Sequence, residues 1–210
     1  MNSVILIGMI YNDLSEVLDF VRQEFPKGTN LREELKRVPP PFKCDPDTND
    51  KWKGLYIEWR INGKTPNNDT EKDIANICDI KHNEVPRLKS GKYSTPNNMR
   101  IGTQTPEDFM AQSWGQSGVK SKLKATVILF TNKDDEVIGS NAWTPSYQEL
   151  RDMKEDYEMY KSIANWRDFW SSWHSVLSRS FRIIRLGVNG EGKSGWLSKA
   201  ISRAMLAGAQ

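Results

Sequence analysis

The chain has 210 residues, room for one domain with a buried core, and its 30 basic and 27 acidic residues leave a formal charge of only +3. Eight Trp, seven Phe and six Tyr exclude a disordered chain. The two cysteines, Cys44 and Cys78, exclude a disulfide framework and point to a reducing compartment.

In chain order, the apolar start, Met1 to Ile10, has no basic leader or cleavage site and is too short to span a bilayer. Ser3 to Ile10 is expected as a buried strand. Leu14, Val17, Leu18, Val21 and Phe25 recur at spacings of three and four and predict a helix. Asn30 with Glu33 three residues on predicts a second, short helix carrying Leu31, Leu35 and Val38, ended by Pro39-Pro40-Pro41. Lys53 to Ile61 alternates, with Leu55, Ile57, Trp59 and Ile61 against Tyr56, Glu58 and Arg60. That pattern predicts a half-buried strand closed by an Asn62-Gly63 hairpin turn.

Lys64 to Thr105, rich in Asn, Pro, Lys and Thr, predicts a long surface loop with at most one short helix near Glu71 to Asp79. Thr105-Pro106-Glu107-Asp108 has the cap, proline and acids of a helix start. Lys122 to Thr131 predicts a strand, and Thr144-Pro145 opens a charged helix. A further helix from about Ser162 carries Trp166, Phe169, Trp170 and Trp173, and Phe181 to Val188 reads as a strand. Ser194 is expected to cap a final helix with Trp196, Leu197, Ala200 and Ile201 on one face. The sum is an α+β fold: a single compact domain in which several helices pack on a small mixed or antiparallel sheet, with a long central loop. Residues 1–42 would form an N-terminal strand and helix segment, and 51–210 the main body.

Two motifs invite a nucleotide reading. Gly187-Val188-Asn189-Gly190-Glu191-Gly192-Lys193-Ser194 fits G-x-x-x-x-G-K-[ST], in which backbone N–H groups cradle phosphates, the lysine reaches the β and γ phosphates and the serine holds Mg²⁺. Asn132, Lys133 and Asp135 fit the guanine-reading N-K-x-D, and their order before the phosphate loop resembles circularly permuted GTPases. That family places its metal-binding strand after the phosphate loop, where this sequence offers one helix. Gly187, Gly192, Lys193, Ser194, Asn132, Lys133 and Asp135 therefore stand as the site of an alternative function. The plain reading of the same letters is a strand-to-helix turn with Ser194 as cap.

Other catalytic patterns carry less. Cys78 and His82 lie four apart, and with Cys44 and His174 would make four zinc ligands, but the spacing matches no finger or knuckle. Glu149, Asp152, Glu155, Asp156 and Glu158 read as a solvated helical face. No catalytic residue, metal or cofactor is expected, and the chain is read as not an enzyme.

The C-terminal third carries the strongest signal. Arg179, Arg182, Arg185, Lys193, Lys199 and Arg203 stand against one acid, Glu191, and Trp196 lies among them. Such asymmetry marks an anionic partner, nucleic acid or a membrane surface. Asp134, Asp135, Trp143, Asp168, Phe169, Ser194, Gly195 and Trp196 stand in a run of strand, acidic turn, Trp, "DF" helix, apolar strand, basic-glycine turn and "SG-W". This run resembles the C-terminal part of rhabdovirus matrix proteins of the vesiculovirus type. Pro39 to Phe42 is similar to their proline-rich budding motif, with Phe where that motif has Tyr. The resemblance implies a non-enzymatic structural protein of the virion interior and host cytoplasm. Such a protein self-associates as a homo-oligomer and condenses a nucleocapsid, through nucleoprotein or RNA, against an anionic membrane. An intracellular protein–protein adaptor that uses the loop Lys64 to Thr105 is the remaining alternative.

Overall fold

A computed structural model describes residues 11–66, 74, 77–94, 100–104, 111–122, 125–163, 184–189, 192–197 and 205–209. The elements follow as α1 (Leu14–Glu24), α2 (Leu31–Arg37), α3 (Trp52–Asn62), β1 (Cys78–Glu84), β2 (Arg100–Gln104), α4 (Gly118–Lys122), β3 (Ala125–Thr131), β4 (Val137–Trp143), α5 (Tyr147–Ile163), β5 (Ile184–Asn189) and β6 (Gly192–Leu197). The fold is α+β. Its contacts group into two units: Met1–Ser94 with Ala125–Trp143 and Met205–Gln210, and Thr95–Lys124 with Thr144–Ala204.

The first unit packs α1, α2 and α3 on a sheet of order β1-β3-β4, in which β1 and β3 run parallel and β4 antiparallel to β3. Each helix begins where its letters allow. Asp13 caps α1 by accepting from Glu16 N, and Glu16 reaches back to Asn12 N, so two free donors are satisfied reciprocally. Asn30 Oδ1 caps α2 by accepting from Arg32 N and Glu33 N. Val17 and Val21 of α1, Phe25 just after it, Leu31 of α2 and Tyr56, Ile57 and Ile61 of α3 close over Ile80, Val127, Leu129 and Val137 of the sheet. Each such burial is worth about 1.5–3 kcal/mol.

The second unit holds a separate sheet of order β2-β6-β5, antiparallel throughout. α5 starts with a reciprocal cap, Ser146 N donating to Glu149 Oε2 and Glu149 N to Ser146 Oγ. It buries Met153 and Tyr157, and the Tyr157 ring lies 5.5 Å from that of Trp114.

Several expectations change. Lys53 to Ile61 is helix, not strand, and Gly63 ends it in the left-handed conformation, φ 70°, rather than opening a hairpin. The buried set of α3 is Trp52, Lys53, Tyr56, Ile57, Arg60 and Ile61, a helical stripe whose polar members disguise it. Two strands, β1 and β2, lie within the stretch expected as a long loop. β4 follows β3 through the turn at Asn132–Asp135, and α5 continues through Ser162 to Ile163. Ser194 lies inside strand β6 and caps no helix there. The strand expected at Ser3 to Ile10, the helix start at Thr105 to Asp108 and the Trp166–Trp173 stripe fall outside the described residues.

Candidate functional site

The phosphate-loop letters form a β-hairpin. Gly187 pairs with Ser194, Val188 with Lys193 and Asn189 with Gly192, so only Gly190 and Glu191 connect the strands. A phosphate cradle needs a helix whose first N–H groups point at the anion. Here Lys193 and Ser194 sit in a strand paired on both sides, Ser194 with Thr103 and Lys193 with Gln104. The expected passage from strand to helix at Ser194 is therefore corrected: Gly192–Leu197 is a strand.

The guanine-motif letters are likewise committed to a turn. Asn132 Oδ1 accepts from Asp134 N and Glu136 N, both at 2.9 Å, which folds β3 back into β4. Asp135 adopts φ 63°, a conformation that Asp and Asn tolerate better than most residues. Its carboxylate takes Lys53 Nζ on Oδ1 at 2.6 Å and Arg32 Nε on Oδ2 at 2.9 Å. Lys53 also meets Glu84 Oε2 at 2.6 Å, and Arg32 meets Asp47 Oδ1 at 2.7 Å. Both cations also approach the Trp52 ring, Arg32 Cζ 5.8 Å and Lys53 Nζ 5.9 Å from its centroid.

Burial by itself would raise the Asp135 carboxyl, but the hydrogen bonds from Lys53 and Arg32, and then their charges, hold it below its ordinary value. Beside it, His82 Nε2 and Thr131 Oγ1 share a 2.8 Å hydrogen bond. Burial first, then the Lys53 charge, push His82 down to about 3 against the opposing pull of Asp135, so the imidazole is neutral. This cluster pins the β3–β4 turn to α2 and α3. Its carboxylate Asp135 is paired with Lys53 and Arg32, and Asn132 bonds within the turn to Asp134 and Glu136.

The sheet of the second unit brings the predicted partner-binding residues together in part. Trp196 pairs with Arg185 on one side and with Arg100 on the other, which makes a cross-strand row Arg100–Trp196–Arg185. In the same register Ile184 pairs with Leu197 and Leu186 with Gly195, one step to either side of Arg185 and Trp196. Lys193 pairs with Val188, three register positions from the Arg185–Trp196 pair. Arg179, Arg182, Lys199 and Arg203 lie outside the described residues. Arg100 was not anticipated; its signal is only the register of a strand hidden in a stretch read as loop.

Among the described residues no group of acids, cysteines and histidines could hold a metal ion, and no helix is long and apolar enough to cross a membrane. Cys78 and His82 stand on strand β1 rather than on a helix. An open pocket of about 440 Å³ in the second unit, lined by Ser117, Lys120, Pro145 and Leu150 among others, contains none of the predicted site residues.

No family model matches the chain. It is similar to the insoluble β-fructofuranosidase isoenzyme CWINV6 of Arabidopsis thaliana, 26% identical over 182 residues, which covers 78% of this chain and 32% of that protein. The chain thus spans about a third of the length of the relative it matches.

Proposed function

We propose that this is a non-enzymatic, matrix-like binding protein that self-associates and contacts an anionic partner, RNA of a nucleocapsid or a membrane surface, through the β2-β6-β5 sheet and the basic C-terminal stretch. One observation carries the reading: the register that sets Arg100 and Arg185 on either side of Trp196. Strands of a sheet lie about 4.8 Å apart, so the two arginines stand about 10 Å from each other across the tryptophan. Two cations flanking an aromatic suit a backbone whose charges alternate with stackable bases, and equally an indole set among anionic headgroups. The basic excess from Arg179 to Arg203 supports the same class of partner.

The name of the plant relative suggests sugar cleavage, which requires two carboxyl groups facing one bond. Asp135, a buried carboxylate, is held instead by Lys53 and Arg32, and nothing among the described residues favours that second reading.

Binding to single-stranded RNA and to vesicles containing phosphatidylserine tests the proposal. The variant Arg100→Glu/Arg185→Glu is expected to bind one or both at least tenfold more weakly than wild type. Lys89→Glu/Lys92→Glu, the same charge change at exposed positions of the first unit, should bind as wild type does. Equal losses in the two variants would remove the sheet from the account, and RNA and vesicle arms separate the two partners.

A further inference from the structure

The pocket of about 440 Å³ in the second unit takes no part in the proposed function. Both of its walls belong to that one unit. One wall is Gln116, Ser117 and Lys120, where the 3₁₀ turn Trp114–Gln116 runs into α4. The other is Thr144, Pro145 and Leu150, at the entry to α5. The walls are tied together. The Trp114 ring packs on Tyr157 of α5 at 5.5 Å, and Tyr157 Oη donates to Gln112 O at 3.1 Å. Ser117 is buried and committed to its own turn: its N and Oγ donate to Trp114 O at 3.2 and 2.9 Å, and Oγ accepts from Lys120 N at 3.1 Å. The pocket is thus formed without a ligand, at a size within the range of about 300–1,000 Å³ that small-molecule sites occupy.

Its lining is cationic. Lys120 is exposed, and no carboxylate pairs with it among the described residues. Gln116 Oε1 accepts from Ser113 Oγ at 3.1 Å, which leaves the Nε2 hydrogens to donate. Thr144 adds an exposed hydroxyl. No acid lines the pocket among the described residues. Glu149, beside Leu150 in the chain, is turned to the cap of α5, where it accepts from Ser146 N at 2.6 Å.

Lysine, amide and hydroxyl donors with no opposing acid select an anion. One lysine matches one charge, whereas a phosphate monoester brings nearly two. The ammonium is a compact point charge on a flexible stem, suited to a carboxylate that needs no fixed fork. Pro145 is buried and Leu150 half-buried, so the rest of the ligand meets hydrocarbon.

We infer that this pocket binds one small apolar monocarboxylate, its carboxylate on Lys120 and its hydrocarbon body against Pro145 and Leu150. The inference goes beyond the proposed function and does not rest on it. Its test uses neither RNA nor vesicles and alters neither Arg100 nor Arg185, so either can fail while the other stands.

Calorimetric titration of the full-length chain with octanoate, acetate and 1-octanol decides it. Octanoate should bind at one site, and acetate, which lacks the apolar body, and 1-octanol, which lacks the charge, about tenfold or more weakly. Lys120→Met should lower octanoate affinity by the same factor and leave 1-octanol binding unchanged, which separates a lost charge from a collapsed pocket. Lys120→Arg, which keeps the charge, should bind octanoate as wild type does. Amide shifts in the NMR spectrum on adding octanoate should centre on residues 115–121 and 144–150. Octanoate binding no tighter than acetate, or unchanged in Lys120→Met, or lost equally in Lys120→Arg, overturns the inference, as do shifts centred elsewhere.

Discussion

Asp135 combines three demands that few residues meet together: a left-handed backbone, a buried site and two cationic partners. Asparagine tolerates the same backbone, so Asp135→Asn removes the charge and leaves the turn conformation available. It strands Lys53, which is 7% exposed, with Glu84 alone. A loss of about 2–4 kcal/mol in urea unfolding is expected for a broken, nearly buried pair. His82 sets the pH response. Its folded pKa of about 3 lies below the ordinary value of about 6.5, so the unfolded chain takes up the proton first as pH falls. Its contribution is therefore complete above about pH 6.5 and declines by about 1.4 kcal/mol per pH unit toward pH 3. Asp135 is shifted in the same direction, so its contribution is likewise lost as pH falls, but only once the pH drops through the ordinary carboxylate range near 4. Between pH 7 and pH 5 wild type should lose about 2 kcal/mol through His82, and His82→Gln should lose markedly less. The same decline in both would show that the imidazole is not held neutral.

Among the elements, the helices that follow simple periodicity were legible in the sequence. Asn30 and Glu33 mark α2, and the spacing from Leu14 to Phe25 marks α1 with its buried Val17 and Val21. Asn30→Ala should cost about 1–2 kcal/mol, because it removes two caps of α2 and the bond from Nδ2 to Asp134 O at 2.9 Å. α3 misleads for a stated reason: two of its six buried positions are Lys53 and Arg60, neutralised by Asp135 and Glu84 and by Glu24. A reader counting apolar letters sees Leu55, Ile57, Trp59 and Ile61 instead and finds a strand. The hairpin at Gly187–Ser194 misleads in the other direction, since glycine serves a two-residue link as well as a phosphate cradle. What decides between them is strand β6, whose pairing with β2 is a long-range contact that local letters do not encode. Of the candidate site, Arg185 and Trp196 were legible as basic and aromatic letters; their adjacency, and the part of Arg100, were not.

At the scale of the whole molecule, charge and topology point to different places. The buried cluster around Asp135 consumes its charges internally, whereas the row Arg100–Trp196–Arg185 belongs to a sheet that joins residues from the middle and the end of the chain. A partner held there neutralises cations and so releases counterions, which makes affinity fall with salt in proportion to the contacts made. The most direct measurement is the affinity of wild type and of Arg100→Gln/Arg185→Gln for a labelled single-stranded RNA and for anionic vesicles across a salt series. For RNA the slope of log affinity against log salt should be shallower by about 1.4 in the variant, the value for two lost phosphate contacts. Identical slopes and identical affinities for both ligands would contradict the proposed role of the sheet.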